Sequence, residues 1–377
     1  MRSAIVIGAG IVGLAATKAL AEKGYKVTVL ERSGKAVGAS IRNFGMVWPI
    51  GQPDGELYER AMRSKSIWQQ VCMDANIWHD PVGSIHLAYD QDELNVLSEL
   101  AEKYQHRGYT ILSADKTKIK SPAANVNGLK GSLYSSTEII VDPREALQKL
   151  PLWLTEKYKV QYIWGKAVTD VSYPSVYAGR DEFEADVIFV CSGADFQTLY
   201  PEIYADGHVT SCKLQMMRME AQPANWRIGP AVCGGLSLMH YESFRAASSW
   251  QELRKRYERE LPEYLKFGIH VMAAQNQFGE ITIGDSHEYG ATVDPFDKQF
   301  INDLILDYLD KLVRLKNPRI IESWNGVYAK LTNGDSELVI SPEQGVTIIN
   351  GLGGAGMTLS FGLCEQVVSL TGIPNSK

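Results

Sequence analysis

Apolar positions along the chain follow two rhythms. Ser3 to Ile7 is a short β-branched run that predicts a buried strand. Ile11, Leu14, Ala15, Ala19 and Leu20 then recur at helical spacing, and Gly24 stands where a helix stops. Lys26 to Leu30 is a second apolar strand ending at Glu31. Helical patterning returns over 57–72 and 92–107, with strands predicted at 83–89, 128–134 and 138–141. Pro143 suits the first turn of a helix that reaches Tyr158, and Pro151 is expected to kink that helix or split it. Strands are predicted at 160–163, 166–172, 185–190, 214–220 and 280–284, and helices at 250–265 and 297–315. A strand at 346–349, a glycine-rich turn from Gly351 to Gly356 and an apolar helix from Met357 close the pattern.

Strand–glycine–helix units thus stand at both ends of a β-rich middle. That order predicts an α/β fold: a discontinuous Rossmann-like nucleotide-binding domain into which an α+β, antiparallel-sheet substrate domain is inserted. The boundaries read as 1–82, 139–212 and 331–377 for the first domain, and 83–138 and 213–330 for the second. A length of 377 residues agrees with two domains. The net charge of −6 argues against nucleic acid or an anionic membrane surface as partner. Five scattered cysteines without a C-x-x-C pair suggest neither disulfides nor zinc, and free thiols fit a reducing cytosol. No apolar run approaches the ~20 residues of a membrane span, so a cytoplasmic location is expected.

The first turn carries the clearest chemistry. Gly8-Ala9-Gly10-Ile11-Val12-Gly13 is a G-x-G-x-x-G loop between a strand and a helix. The first glycine permits the turn, the second lets backbone approach a pyrophosphate, and the third lets helix pack on strand. The helix start adds free N–H groups and a positive dipole end. Glu31, at the end of the second strand, is placed to accept ribose hydroxyl hydrogen bonds, which favours an unphosphorylated ribose and so FAD or NAD over NADP. Arg32 beside it reads as an exposed charged neighbour.

With three further stretches this loop resembles the D-amino-acid oxidase superfamily, which includes glycine and sarcosine oxidases. They are Gly38-Ala39-Ser40-Ile41-Arg42-Asn43-Phe44-Gly45-Met46, Val190-Cys191-Ser192-Gly193-Ala194, and Gly351 to Thr358. The resemblance implies FAD, held by the glycine loop, Glu31 and Arg32. It runs Ala39, Ser40, Arg42, Asn43, Gly45 and Met46 beside the flavin and turns Val168 to the adenine. It passes Ser192 and Gly193 by the phosphates. It sets the amides of Gly353, Gly354, Ala355, Gly356, Met357 and Thr358 near the flavin's pyrimidine end, where a helix dipole stabilises negative charge.

The departures from the family are informative. Tyr328 falls near the position of the flavin-linking cysteine of sarcosine-oxidase-like members, and no cysteine is expected close by, so FAD is expected to be non-covalent. Many members pair the substrate carboxylate with an arginine here, whereas this stretch offers only Lys330, which makes no bidentate fork. Thr282 and Thr358 stand where sarcosine oxidases use lysines for substrate and oxygen. Arg42-Asn43-Phe44-Gly45 and Gly284 to Gly290 resemble a phosphonate-associated branch, which implies an aminoalkylphosphonate, primary or N-methylated.

His240 and Tyr241, read as part of a strand at 238–241 whose alternation turns one of them to the cavity and the other outward, and Tyr328 with Lys330, on one face of another, are the candidate substrate contacts. His287 reads as a loop residue, and Asp285, Ser286 and Glu288 around it lack metal-ligand spacing, so no metal is expected. No side chain is assigned as a catalytic base. Trp48, following the flavin-side stretch, is a candidate wall, whereas Trp78 and Trp324 read as core. The expected reaction is FAD-dependent oxidation of a small anionic amine, with oxygen or another acceptor taking the electrons. The alternatives are a glycine-, sarcosine- or D-amino-acid oxidase using Arg218 or Arg245 for the carboxylate, a flavin-binding subunit of an amine dehydrogenase complex, and an NAD-dependent dehydrogenase.

Overall fold

A computed structural model describes residues 2–205 and 208–371. Residues 1, 206–207 and 372–377, which fall in the ranges expected for the nucleotide-binding domain, lie outside these. Five of the six strands in the first sheet run parallel, in the order Val346–Asn350, Val187–Val190, Ser3–Ile7, Lys26–Glu31, Gln161–Trp164. Leu338–Ile340 adds an antiparallel edge. Their near-continuous Val, Ile and Leu content suits strands covered on both faces. Helices Ile11–Glu22 and Gly356–Leu370 pack together on one face, with Glu56–Asp74 outside them. A three-stranded meander, Asp170–Ser172, Ser175–Ala178 and Asp181–Glu184, shares a buried cluster with Ile5, Ile7 and Leu30 on the other. From Ser3–Ile7 the chain moves to one side for Lys26–Glu31, and Val187–Val190 fills the other. The carboxyl ends at Ile7 and Val190 therefore flank a switch point, where open α/β sheets hold ligands.

The second sheet is nine-stranded and mostly antiparallel, built on the long pair Val209–Met219 and Ile320–Leu331. Ala231–Cys233 and Ser84–Ala88 are its parallel exception. Helices Gln91–Lys103 and Gln299–Leu312 pack against it. A small sheet, Met46–Val47, Ile139–Val141 and His79–Asp80, joins the two halves. Among the described residues no helix is long and apolar enough to cross a membrane.

Several elements differ from their sequence pattern. Strand Val209–Met219 lies wholly in the second sheet, so the expected boundary at 212/213 cuts through it. Helix Pro143–Tyr158 runs on through Pro151, which is buried within it rather than splitting it. The helix expected at 250–265 is broken at Leu261, giving Trp250–Glu260 and Pro262–Lys266, because a residue before proline is pushed out of helical geometry. Of the strand expected at 166–172 only Asp170–Ser172 forms. Residues 238–241 are not a strand: Leu236–His240 is a short helix ending at Tyr241, started by tight turns from Gly234 and Gly235.

Candidate active site

One cavity of about 1240 Å³ runs from the switch point of the first sheet to the face of the second. At its first end Gly8 has φ +102°, and a Cβ there would come within 2.5 Å of the Cys191 carbonyl oxygen. A Cβ on Gly13 would overlap the Gly8 carbonyl oxygen, so helix Ile11–Glu22 can approach the strand only because that atom is missing. Leu14 N–H is the first amide to bond back along the helix, to Gly10 O at 2.9 Å, and Ile11 N–H donates to Ser40 Oγ at 2.9 Å. The amides of Val12 and Gly13 have no partner within the helix. Glu31 accepts from Ala9 N–H at 2.8 Å and from Ser33 N–H at 2.9 Å, which fixes its carboxylate at the cavity edge with lone pairs to spare. Cys191 also faces the cavity, but burial pushes its thiol up to about 12 and leaves it unreactive.

Along the middle, Asn43 bonds the carbonyls of Ala39 and Ser40 and accepts from Gly45 N–H, so it shapes the turn that carries Ser40. Gly45 packs against the Val141 carbonyl where no side chain fits. A second helix start, at Gly356, opens on the same space through the turn Gly353–Ala355. Asn350 anchors that turn by donating to Gly193 O and accepting from Gly351 N–H, both at 2.8 Å. Thr358 Oγ1 accepts from Trp48 N–H at 2.9 Å.

At the far end the strand Ile320–Leu331 brings Tyr328 beside Gly354 and Lys330 beside Gly353. Opposite them stand Trp48, Tyr241, Leu214, Met216 and Met272, with Arg245 and Glu242 exposed at the rim. Trp48 Nε1 is buried on this wall with no hydrogen-bond partner among the described residues. His240, His270, His287 and Asp285 form one side. Asp285 Oδ1 lies 2.9 Å from His270 Nε2 and Oδ2 lies 3.8 Å from His287 Nε2. Burial opposes the Asp285 charge, but the two histidines hold its carboxyl below the usual range. Burial first, then neighbouring positive charge, pushes His240 well down, and burial pushes His287 down against the opposing pull of Asp285. Burial drives the phenols of Tyr241 and Tyr328 well above 10, so both remain donors at neutral pH.

Two helix starts, glycine faces with no room for a Cβ, a carboxylate at the cavity edge with lone pairs to spare and an unpaired indole N–H all suit a long dinucleotide. Residues 3–370 match the family of FAD dependent oxidoreductases, DAO. The chain belongs to that family. The oxidoreductase is similar to the D-amino acid dehydrogenase of Helicobacter pylori, at 23% identity over 249 residues that cover 52% of this chain. It spans about 60% of the length of that curated relative. Its fold is that of glycine oxidase from Bacillus cereus ATCC 14579, at TM-score 0.78 and 15% identity, with 98% of this chain and 94% of that one covered. L-proline dehydrogenase from P. horikoshii superposes at TM-score 0.77 and 19% identity, covering 98% and 92%. Its cofactor is FAD.

The cavity collects nearly all the residues singled out in the sequence. Gly8, Gly10, Ile11, Val12, Glu31, Arg32, Ala39, Ser40, Arg42, Asn43, Met46, Val168, Ser192, Gly193 and Gly353 to Thr358 line it, as do His240, Tyr241, Tyr328 and Lys330. Ala9, Gly13 and Gly45 lie behind the wall, where they allow close packing. Arg32 is tied to Asp195 at 2.9 Å. Arg218 and Thr282 are elsewhere: Arg218 pairs with Glu280 on the second sheet, so of the two arginines considered for a carboxylate Arg245 alone reaches the cavity. A cysteine lies nearer Tyr328 than expected, because Cys212 is its partner across the strand pair. That thiol is fully buried, pushed up to about 12, and does not line the cavity. His287 lies in the loop between Ile281–Gly284 and Glu288–Gly290 and is 3% exposed in the histidine wall, and His270 was not anticipated.

Glu31→Ala leaves two backbone N–H donors unpaired and removes the acceptor we propose for the ribose hydroxyls. We expect FAD affinity to fall by about 10- to 100-fold, the effect of losing ~1.5–3 kcal/mol of hydrogen bonding to a charged group. Flavin retained on gel filtration reads this directly, and undiminished retention would show that Glu31 does not hold the cofactor.

Proposed function

We propose that the oxidoreductase acts on a small amine carrying a tetrahedral oxyanion, an aminoalkylphosphonate or its N-methyl derivative. The observation behind this reading is the far wall. It offers imidazoles, Lys330 and Arg245, and no arginine on the strand Ile320–Leu331 to fork a carboxylate. A phosphonate has more acceptor oxygens and more charge than a carboxylate, and point-charge donors suit it. FAD, when bound, supplies the two-electron acceptor for a hydride from the carbon beside the amine. The chain's own residues hold the anion, orient that C–H bond and exclude water. Trp48, Leu214, Met216 and Met272 provide the dry surface, and the phenols of Tyr241 and Tyr328 donate hydrogen bonds. The imine formed takes up water, giving a carbonyl compound and free amine, and the electrons pass to oxygen or another acceptor.

Arg245 at the rim supports a second reading, a glycine-, sarcosine- or D-amino-acid oxidase, in keeping with the named activities of glycine oxidase and D-amino acid dehydrogenase. Anaerobic titration of the FAD-loaded protein separates the two. Bleaching of the flavin by 2-aminoethylphosphonate and its N-methyl derivative, but not by glycine, sarcosine or D-alanine, is the expected result. Bleaching by the amino acids alone overturns it in favour of the second reading. No bleaching by any amine points instead to a flavin-binding subunit.

A further inference from the structure

The three imidazoles of the far wall come from separate segments and lie ring against ring. His240 and His270 stack at 3.8 Å with planes 22° apart, His240 and His287 stand 4.5 Å apart, and His270 and His287 5.2 Å at 20°. Their ring nitrogens all fall within 4.8 Å of one another. Reciprocal backbone bonds between His270 and Asp285, at 3.2 and 3.0 Å, lock two of the segments together.

A partner fixes one of the tautomers. The Gly268 carbonyl can only accept, so His287 Nδ1, 2.9 Å away, carries a proton and the neutral ring keeps a lone pair at Nε2. Asp285 Oδ1 lies 2.9 Å from His270 Nε2 without hydrogen-bond alignment, and both it and His270 Nδ1 are buried with no hydrogen-bond partner among the described residues. Each neutral ring of the wall thus carries one lone pair, which an anion repels and a proton converts into a donor.

Charged and titratable groups face this cluster from every side. Lys330 and Arg245 are cations, Asp285 and the rim residue Glu242 are acids, and Tyr241, Tyr328, Tyr289 and Cys212 are protonated neutrals. Desolvation, the two neighbouring imidazoles and the two cations hold His240 well below the usual imidazole range. An anion entering the cavity reverses that field and favours imidazolium. A metal ion is the competing occupant of these three nitrogens, and loss of a retained metal in the His240 variant distinguishes it from an anion.

We propose that His240, His270 and His287, positioned by Asp285, form a receptor for a tetrahedral oxyanion that takes up one proton from solvent as the anion enters. This rests on the reading above, in which the oxyanion is the substrate's phosphonate. Proton uptake converts a lone pair into a charge-assisted donor and couples anion affinity to pH.

Sulfate is the direct probe, because it remains a dianion across the working range and any proton gained belongs to the protein. Calorimetric titration of the FAD-loaded enzyme with sulfate, in two buffers of different ionisation enthalpy, is expected to show one proton taken up per sulfate above neutral pH. Sulfate affinity is expected to fall about tenfold per pH unit there, as linkage to one proton requires. Acetate is expected to bind without that slope. In His240→Gln, a change at a half-buried ring, sulfate is expected to bind more weakly and with a shallower pH dependence. Absence of sulfate binding, binding without proton uptake, or a His240→Gln titration like the wild type overturns the receptor. So does a transition metal retained stoichiometrically by the wild type and lost in His240→Gln. If aminoalkylphosphonates still bleach the flavin in any of those cases, the proposed function stands alone. If sulfate binds with proton uptake but only amino acids bleach the flavin, the receptor stands and the substrate reading falls.

Discussion

Gly13→Ala is expected to yield a colourless, destabilised protein. The new Cβ would fall inside the Gly8 carbonyl oxygen. Neither partner has room to retreat, because Gly8 N–H is bonded to Leu30 O at 2.8 Å and the helix is packed against Gly356–Leu370. Overpacking of this kind costs about 1–3 kcal/mol where side chains can shift, and more against backbone. The displaced helix start also carries the free amides of Val12 and Gly13, so the flavin-to-protein ratio should drop with stability. Gly34→Ala is the control, since a Cβ there meets nothing within 4 Å. Stoichiometric flavin in Gly13→Ala would mean that this helix does not hold the phosphates.

The second large effect is expected at Glu138, far from the sequence motifs. Its carboxylate is fully buried, accepting from Ile50 N–H at 3.1 Å and Ser84 Oγ–H at 2.9 Å. Through Ile50 it holds the turn Pro49–Gly51, where a Cβ on Gly51 would come within 2.6 Å of the Tyr241 ring. Glu138→Ala strands two buried donors, at about 1–3 kcal/mol each, and loosens the turn under Trp48 and Tyr241. Glu138→Gln keeps an acceptor for Ile50 N–H and turns its amide N–H to the Ser84 hydroxyl as a donor, without a charge. Burial raises the folded carboxyl's pKa, so ionisation costs stability as pH rises from the unfolded value of about 4.3 until the folded pKa is passed. The Gln variant should therefore gain on the wild type as pH rises through that window and then hold its lead. Denaturant melts at several pH values test the sign. A Gln variant that loses ground with rising pH would show the carboxylate to be stabilised as an anion.

The glycine loop was legible because its requirements are local: strand, turn, helix and acid within about thirty residues. The last glycine turn was legible for the same reason. The histidine wall was not, since its rings come from a helix end, a pre-strand segment and a post-strand segment that only the second sheet brings together. Strand alternation misled at His240 and Tyr241, where two glycines begin a helical turn, and both side chains reach the cavity. Arg218 looked as available as Arg245 because sequence does not show Glu280 across the strand pair. Cys212 was too distant in sequence to be seen beside Tyr328.

The parallel sheet also sets an order of events in folding. Its central strand, Ser3–Ile7, can find Lys26–Glu31 early, but its other neighbour Val187–Val190 is joined by contacts such as Ser3 to Asp186, 183 residues apart. Val346–Asn350 must then add to Val187–Val190. Such long loops close slowly, as do those that join Val209–Met219 to Ile320–Leu331 and Ser84–Ala88 to Ala231–Cys233 in the second sheet. On the ribosome, therefore, the first βαβ unit waits with an open edge while the middle of the chain folds, and FAD meets a complete pocket only after the strand near residue 350 has docked.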